Sequence, residues 1–161
     1  FQHNEVYVAL TRTRIPGLLH WQLYVVEDPE SGWRVHATTK NSDNFCFAKD
    51  NWRYLEDGIS IAFVKIGQIG GESSVNKLVE YVKDIPMDIV PGNQKDSESK
   101  FSCRVWVKEA IRILDSIGVF VRCPDIGALV QEVNEQAAAA ENQNPKNLPL
   151  SIYSQVASAW A

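Results

Sequence analysis

The sequence has few cysteines, a single methionine and no long apolar run. Its three cysteines cannot all pair with one another within a chain of 161 residues, and their spacing includes no Cys-x-x-Cys motif. Because there is no His-x-x-x-His pair either, we predict no metal site and expect no cofactor. No apolar segment approaches the length of about 20 residues that a membrane-spanning helix needs, so we predict no transmembrane anchor.

The sequence also has no block of basic residues. It contains 16 Lys and Arg against 20 Asp and Glu, which gives a net charge of −4. Nucleic acid is therefore not an expected partner, since binding it requires a concentrated basic surface. The unpaired cysteines favour a reducing, cytoplasmic compartment. Because the chain begins at Phe1 rather than Met, we expect that an upstream segment was trimmed or left out.

The composition is typical of one globular domain with a proper core, with 45% apolar and 22% charged residues. We predict a single α+β domain over residues 1–141, followed by a linker and a C-terminal tail over residues 142–161. In the tail, Tyr153, Val156 and Trp160 have the spacing of a short helix. A segment with mixed aromatic and charged residues, 41–57, is predicted to be a long loop or a lid.

A predicted amphipathic helix begins near Cys103. Apolar residues recur three or four positions apart along this segment, and Ser102 is a suitable N-cap. Cys103 then lies at the positive end of the helix dipole, where a thiolate is favoured over a thiol. The sequence therefore indicates a nucleophile with a lowered pKa, and the alternative is a small apolar cysteine packed in the core. Another helix is predicted to begin at Pro124, beside Cys123.

Two histidines lie on a predicted β-hairpin. One strand covers residues 20–26 and the other residues 33–38, with an acidic loop between them. In an antiparallel pair the positions of facing residues have a constant sum, so an even sum places His20 and His36 on the same face. An even sum requires an odd-length loop such as residues 27–31. Two imidazoles on one face can deprotonate a thiol and orient the base, whereas the alternative is a pair of histidines at a sheet edge.

These stretches resemble a known superfamily. The segment His-Trp-Gln-Leu-Tyr-Val at 20–25, the second histidine on the next strand and Ser-Cys-Arg-Val-Trp-Val at 102–107 are similar to the permuted papain-like thiol enzymes. The closest similarity is to their NlpC-type and lecithin:retinol acyltransferase-like branches. The resemblance implies an antiparallel sheet packed against helices, with the histidine-bearing strands before the cysteine-bearing helix. It also implies that Cys103 is the nucleophile, His20 the general base and His36 the orienting residue.

Further site residues follow from this resemblance. Gln22 and Ser102, together with amides at the start of the Cys103 helix, are candidates to stabilise an oxyanion. Three aromatic residues of the hairpin are candidates for substrate binding: Trp21, Tyr24 and Trp33. Ser102 stands where the superfamily commonly has Asn.

Two classes of function are consistent with these features. The first is a thiol hydrolase (peptide, amide or isopeptide) or an acyltransferase that acts through an acyl-thioester on a small-molecule or peptide substrate. The second is a non-catalytic papain-like binding domain that uses the aromatic segment 45–54 as its interaction surface, with Cys103 packed in the core. The sequence does not predict the oligomeric state.

Overall fold

A computed structural model describes residues 1–143 and 149–158 of the chain. The strands and helices occur in the order β1 (Glu5–Arg12), β2 (Leu19–Val26), β3 (Gly32–Thr38), β4 (Cys46–Trp52), β5 (Ser60–Gln68), α1 (Val75–Val82), α2 (Cys103–Ile117), α3 (Ile126–Gln143) and β6 (Leu150–Tyr153), with a 3₁₀ turn at Gly92–Gln94 before α2. Together they form an α+β fold with one six-stranded sheet in the order β4-β3-β2-β1-β5-β6.

The sheet is mixed rather than antiparallel as predicted. Strands β1 to β5 pair antiparallel, but β6 pairs parallel to β5, from Ala62↔Leu150 to Lys65↔Tyr153. The helix predicted for the tail is therefore wrong at Tyr153, and Trp160 lies outside the described residues. The predicted linker begins too early, because α3 continues to Gln143, and residues 144–148 lie outside the described part.

The predicted loop over residues 41–57 is also wrong, because β4 occupies its centre. This strand pairs with β3 along its whole length, from Gly32↔Trp52 to Thr38↔Cys46. The alternation of side chains was hidden in the sequence by charged residues that find partners only across the strand pair, such as Asp50 opposite Arg34. Trp52 and Tyr54 are buried.

The two faces of the sheet bury different residues. The helices cover one face, where Trp21, Leu23 and Val25 of β2 join a large aliphatic core with Trp106 of α2. The opposite face carries a smaller, mainly aromatic cluster that consists of Tyr7, Ala9, Tyr24, Val26, Trp52, Tyr54 and Phe63, with Phe1 packed against it. The even-numbered side chains Tyr24 and Val26 of β2 therefore point to the face opposite the helices.

Capping residues determine where α2 begins and ends. Ser102 accepts a hydrogen bond from the Val105 amide, and Gly118 ends the helix with φ of 72°. The predicted cap and helix start are thus confirmed, and Cys103 is the first helical residue. The next helix starts at Ile126 rather than at Pro124, because the Asp125 carboxylate accepts a hydrogen bond from the Ala128 amide.

Within residues 1–143 and 149–158, none of the helices combines the length and the apolar character that crossing a bilayer requires.

Candidate active site

Cys103 lies where backbone amides converge on its sulfur. Strand β3 pairs with β2 only as far as Leu23↔Val35, so the Trp21 amide is not used in that ladder. This amide instead donates a hydrogen bond to Cys103 Sγ over 3.4 Å. The amides of Arg104 and of Cys103 itself also favour a charged sulfur, as expected at a helix N-terminus. The sulfur therefore faces amides from two elements, β2 and α2.

The protonation of this cysteine differs from the sequence-based expectation. Burial raises the pKa of the Cys103 thiol, and the amides of Trp21 and Arg104 offset only part of that effect. The predicted lowering of its pKa is thus wrong for the free protein, because loss of hydration outweighs the helix terminus. All three cysteines are free thiols, with Cys46 exposed and Cys123 buried.

The two histidines lie on the same face of the sheet, and their rings are in direct contact. The β2–β3 register pairs Leu23 with Val35, which gives the predicted even sum. His20 Nε2 and His36 Nδ1 are 2.6 Å apart. His36 is 4% exposed, whereas His20 is only partly buried. The parity argument is therefore confirmed, and the pair is more than two separate edge histidines.

Asp50 of β4 extends this pair, and sequence reasoning missed it. Its Oδ2 lies 3.4 Å from His36 Nε2, while Oδ1 accepts hydrogen bonds from Arg34 Nε and Nη2 over 2.9 and 2.6 Å. Asp50 belongs to the segment predicted as a loop, so its position opposite Arg34 could not be inferred from the sequence. The only sequence signal was that positions 34, 36 and 50 are all even. Once β4 is recognised as a strand paired with β3, this parity places the three side chains on the same face of the sheet.

These contacts determine which nitrogens carry protons. Although burial opposes it, hydrogen bonds from His36 and Arg34 hold the pKa of Asp50 below its usual range, so this carboxylate is ionised and accepts a hydrogen bond from His36 Nε2. In the tautomer with its proton on Nε2, His36 has a lone pair on Nδ1, which accepts a hydrogen bond from His20 Nε2. The lone pair of neutral His20 is consequently on Nδ1, and this nitrogen is its basic atom.

His20 is a neutral imidazole at physiological pH. Burial, with a further contribution from His36, lowers its pKa to about 4. Within the described residues, no hydrogen bond joins Cys103 Sγ to either imidazole. The histidine pair and the cysteine instead adjoin through consecutive residues, since His20 contacts His36 and the amide of Trp21 contacts the sulfur.

A surface pocket of about 330 Å³ opens beside Cys103, and we call it the sulfur pocket. One wall is apolar and comes from the end of the β1–β2 connection and the start of β2, with Leu18, Leu19 and Trp21. The other wall is polar and comes from α2, the segment before it and α3. Its polar lining residues are Glu98, Ser99, Lys100, Ser102, Arg104 and Asn134. The arrangement provides a site in which a small molecule with polar groups can reach the sulfur.

Of the predicted substrate-binding residues, only Trp21 lines this pocket. Tyr24 is fully buried in the aromatic cluster on the opposite face, and half-buried Trp33 packs under the Lys49 ammonium, 4.1 Å from the ring centroid. Gln22 is also fully buried, and its amide has no hydrogen-bond partner among the described residues. It does not line the sulfur pocket, because strand alternation directs it away from the helix face.

Comparison with known proteins gives one match. The model of a family of unknown function, DUF6540, matches residues 6–121, a range that contains His20, His36, Asp50 and Cys103. No curated protein and no solved structure matches the chain. In the described part of the chain, no group of three or more His, Cys, Asp or Glu side chains is arranged to hold a metal ion.

Proposed function

We propose that this chain, which belongs to the DUF6540 family, transfers acyl groups through a thioester on Cys103. In this proposal the fold is a permuted papain-like one, and the enzyme is a hydrolase or an acyltransferase. The observation that carries the proposal is the 2.6 Å contact between His20 and His36, on the strand whose next amide contacts the Cys103 sulfur. A nucleophile, a base and an orienting group are thereby supplied by three adjoining elements.

The reaction begins from a neutral thiol and a neutral imidazole. His20 Nδ1 takes the thiol proton as Cys103 Sγ attacks the substrate carbonyl, and the new imidazolium is stabilised through His36 by the Asp50 carboxylate. The tetrahedral intermediate collapses when the leaving amine or alcohol takes this proton, which leaves a thioester on Cys103. Water or a second nucleophile then attacks the thioester and gives a proton to His20. His20 passes this proton to the Cys103 sulfur as the acyl group leaves.

The proposed oxyanion donors are backbone amides. The Trp21 amide and the first amides of α2 already point at Sγ, so they lie beside the carbon that the sulfur attacks. Gln22 is a weaker candidate because its side chain is buried on the other face. Ser102 acts indirectly, since its hydroxyl caps α2 and thus fixes where the Cys103 amide lies.

The sulfur pocket favours a polar acyl compound of modest size. Its polar wall and its volume of about 330 Å³ suit a short acyl group or a peptide segment better than a long lipid chain. A reducing compartment, as expected for a cytoplasmic protein, keeps the nucleophile as a free thiol.

The experiment is acylation by p-nitrophenyl acetate, followed by intact-protein mass spectrometry and peptide mapping. We expect one fast acetyl adduct on Cys103, which Cys103→Ala removes and His20→Gln slows by about 100-fold. Cys46→Ala is the matched control, because Cys46 is an exposed thiol whose Sγ donates to the Thr38 carbonyl oxygen, and it should leave the fast adduct unchanged. The proposal fails if Cys46 reacts faster than Cys103, or if His20→Gln leaves the Cys103 rate unchanged.

Two observations favour a second candidate, a non-catalytic binding domain. The raised pKa of Cys103, caused by burial, and the missing Sγ–imidazole hydrogen bond are typical of a packed cysteine. The aromatic segment 45–54 is then not a loop surface, because β4 and buried Tyr54 occupy it. In the same experiment this candidate predicts slow, histidine-independent acetylation of Cys103.

A further inference from the structure

A second pocket lies next to the sulfur pocket, between α2 and the start of α3. Its volume is about 380 Å³, and it shares Glu98 and Arg104 with the sulfur pocket. Arg104, Lys108 and Arg112 line it from one side of α2, because they are spaced four residues apart. We call it the cationic pocket.

The charges in this pocket do not balance. Arg104 and Lys108 share a single carboxylate, Glu98, which lies 2.8 Å from Arg104 Nη2 and 3.1 Å from Lys108 Nζ. Although burial opposes it, hydrogen bonds from both cations hold the pKa of Glu98 below its usual range, so it contributes one negative charge. Arg112 is already paired with Glu109 over 2.6 Å. Arg104 and Lys108 together therefore carry one positive charge more than Glu98 balances.

The Lys108 ammonium is largely shielded from water. The Lys108 side chain is 10% exposed and that of Glu98 is 9% exposed, so solvent screens these two groups weakly, whereas Arg104 at 42% exposure reaches the solvent. An incompletely paired ammonium at such a site is costly, and an anionic ligand lowers that cost. The N-terminus of α3 borders the pocket at Ile126 and Gly127. It adds little on its own account, because Asp125 already caps it.

A buried acceptor gives a second, independent indication of a ligand. Gln94 is 4% exposed and lines the cationic pocket, and its Oε1 has no hydrogen-bond partner among the described residues. Its Nε2 donates to the Val105 carbonyl over 3.2 Å, which fixes the orientation of the amide. Oε1 is thus an acceptor that lacks a donor, and a ligand with a hydroxyl or amino group supplies one.

We propose that the cationic pocket binds an oxyanion group, a carboxylate or a phosphate, that carries a hydrogen-bond donor beside it. The oxyanion contacts Lys108 and Arg104, and the donor bonds to Gln94 Oε1. Because the two pockets adjoin at Arg104, this group is the acidic end of the compound whose acyl group reaches Cys103. That last role rests on the proposed function, whereas binding of the anion does not.

The test is a titration of the ¹⁵N-labelled protein with inorganic phosphate, lactate and acetate, none of which is an acyl donor for a thiol. We expect saturable binding of phosphate or lactate with a Kd of about 1 mM, with shifts confined to residues 104–112, 126–130 and the Gln94 region. Acetate, which lacks the donor, should bind at least several-fold more weakly than lactate. Comparison of the Kd of phosphate with that of lactate identifies the oxyanion that the cationic pocket prefers.

Variants separate this proposal from its alternatives. Lys108→Gln removes the uncompensated charge and keeps the Arg104–Glu98 pair, so affinity should fall about tenfold. Lys77→Gln, at an exposed position of α1, is the matched control and should bind normally. If Lys108→Gln does not fold, Arg112→Gln changes an exposed side chain of the same pocket and should weaken binding several-fold. Absence of saturable binding, or unchanged affinity in the pocket variants, overturns the anion site while leaving the acetylation result for Cys103 untouched.

Discussion

Mild acid should destabilise this fold through His20. Burial and His36 lower the pKa of His20 from 6.5 to about 4 in the folded chain. Between these two pH values the unfolded chain binds a proton that the native chain does not, so the free energy of unfolding falls as the pH falls. With about 1.4 kcal/mol per unit of pKa difference, the loss is about 2 kcal/mol at about pH 5 and about 3 kcal/mol near pH 4.

The measurement is urea unfolding, followed by tryptophan fluorescence, of the wild type and of His20→Gln between about pH 7 and pH 5. The variant has no titrating ring at this position, so it should lose about 2 kcal/mol less stability over this range than the wild type. Carboxylates with lowered pKa, such as Asp50 and Glu98, lose their contribution only at lower pH, and equally in both proteins. Equal losses in the two proteins at pH 5 would refute the assignment of His20 as a buried neutral imidazole.

Three further substitutions test separate parts of the structure. Asp50→Asn can present an amide donor to His36, which favours the tautomer that places the proton of His20 on Nδ1. Acetylation of Cys103 should therefore slow about tenfold, with partial recovery in Asp50→Glu. An unchanged rate would remove Asp50 from the site. Ser102→Ala should cost about 1 kcal/mol of unfolding free energy through loss of the α2 cap, and a neutral effect in urea unfolding would contradict that role. Gly32→Ala places a methyl 2.2 Å from the Val25 carbonyl oxygen and should cost about 2 kcal/mol or more, whereas Gly70→Ala, with no atom within 4 Å, should be tolerated in the same assay.

Much of the fold follows from local patterns in the sequence. Strands β2 and β3 and helix α2 lie close to where apolar periodicity and capping residues predict them. Local information also predicts that the two histidine rings share a face. His20 and His36 are both at even positions, and the five-residue loop between the strands gives the even sum that places them together. Strand β4 was missed because its charged side chains suggest a loop until they meet partners on β3.

The sequence by itself determined the position of Cys103 at the start of a capped helix and the common face of His20 and His36, since caps, periodicity and strand parity act over a few residues. Only the tertiary structure decided that Asp50 lies against His36, that Gln22 and Tyr24 are buried away from the sulfur, and that burial keeps the thiol protonated. Those features depend on which distant strand pairs with β3 and on how much water reaches each group. Both arise when the whole sheet and its helices assemble, and neither is written in any short stretch of the chain.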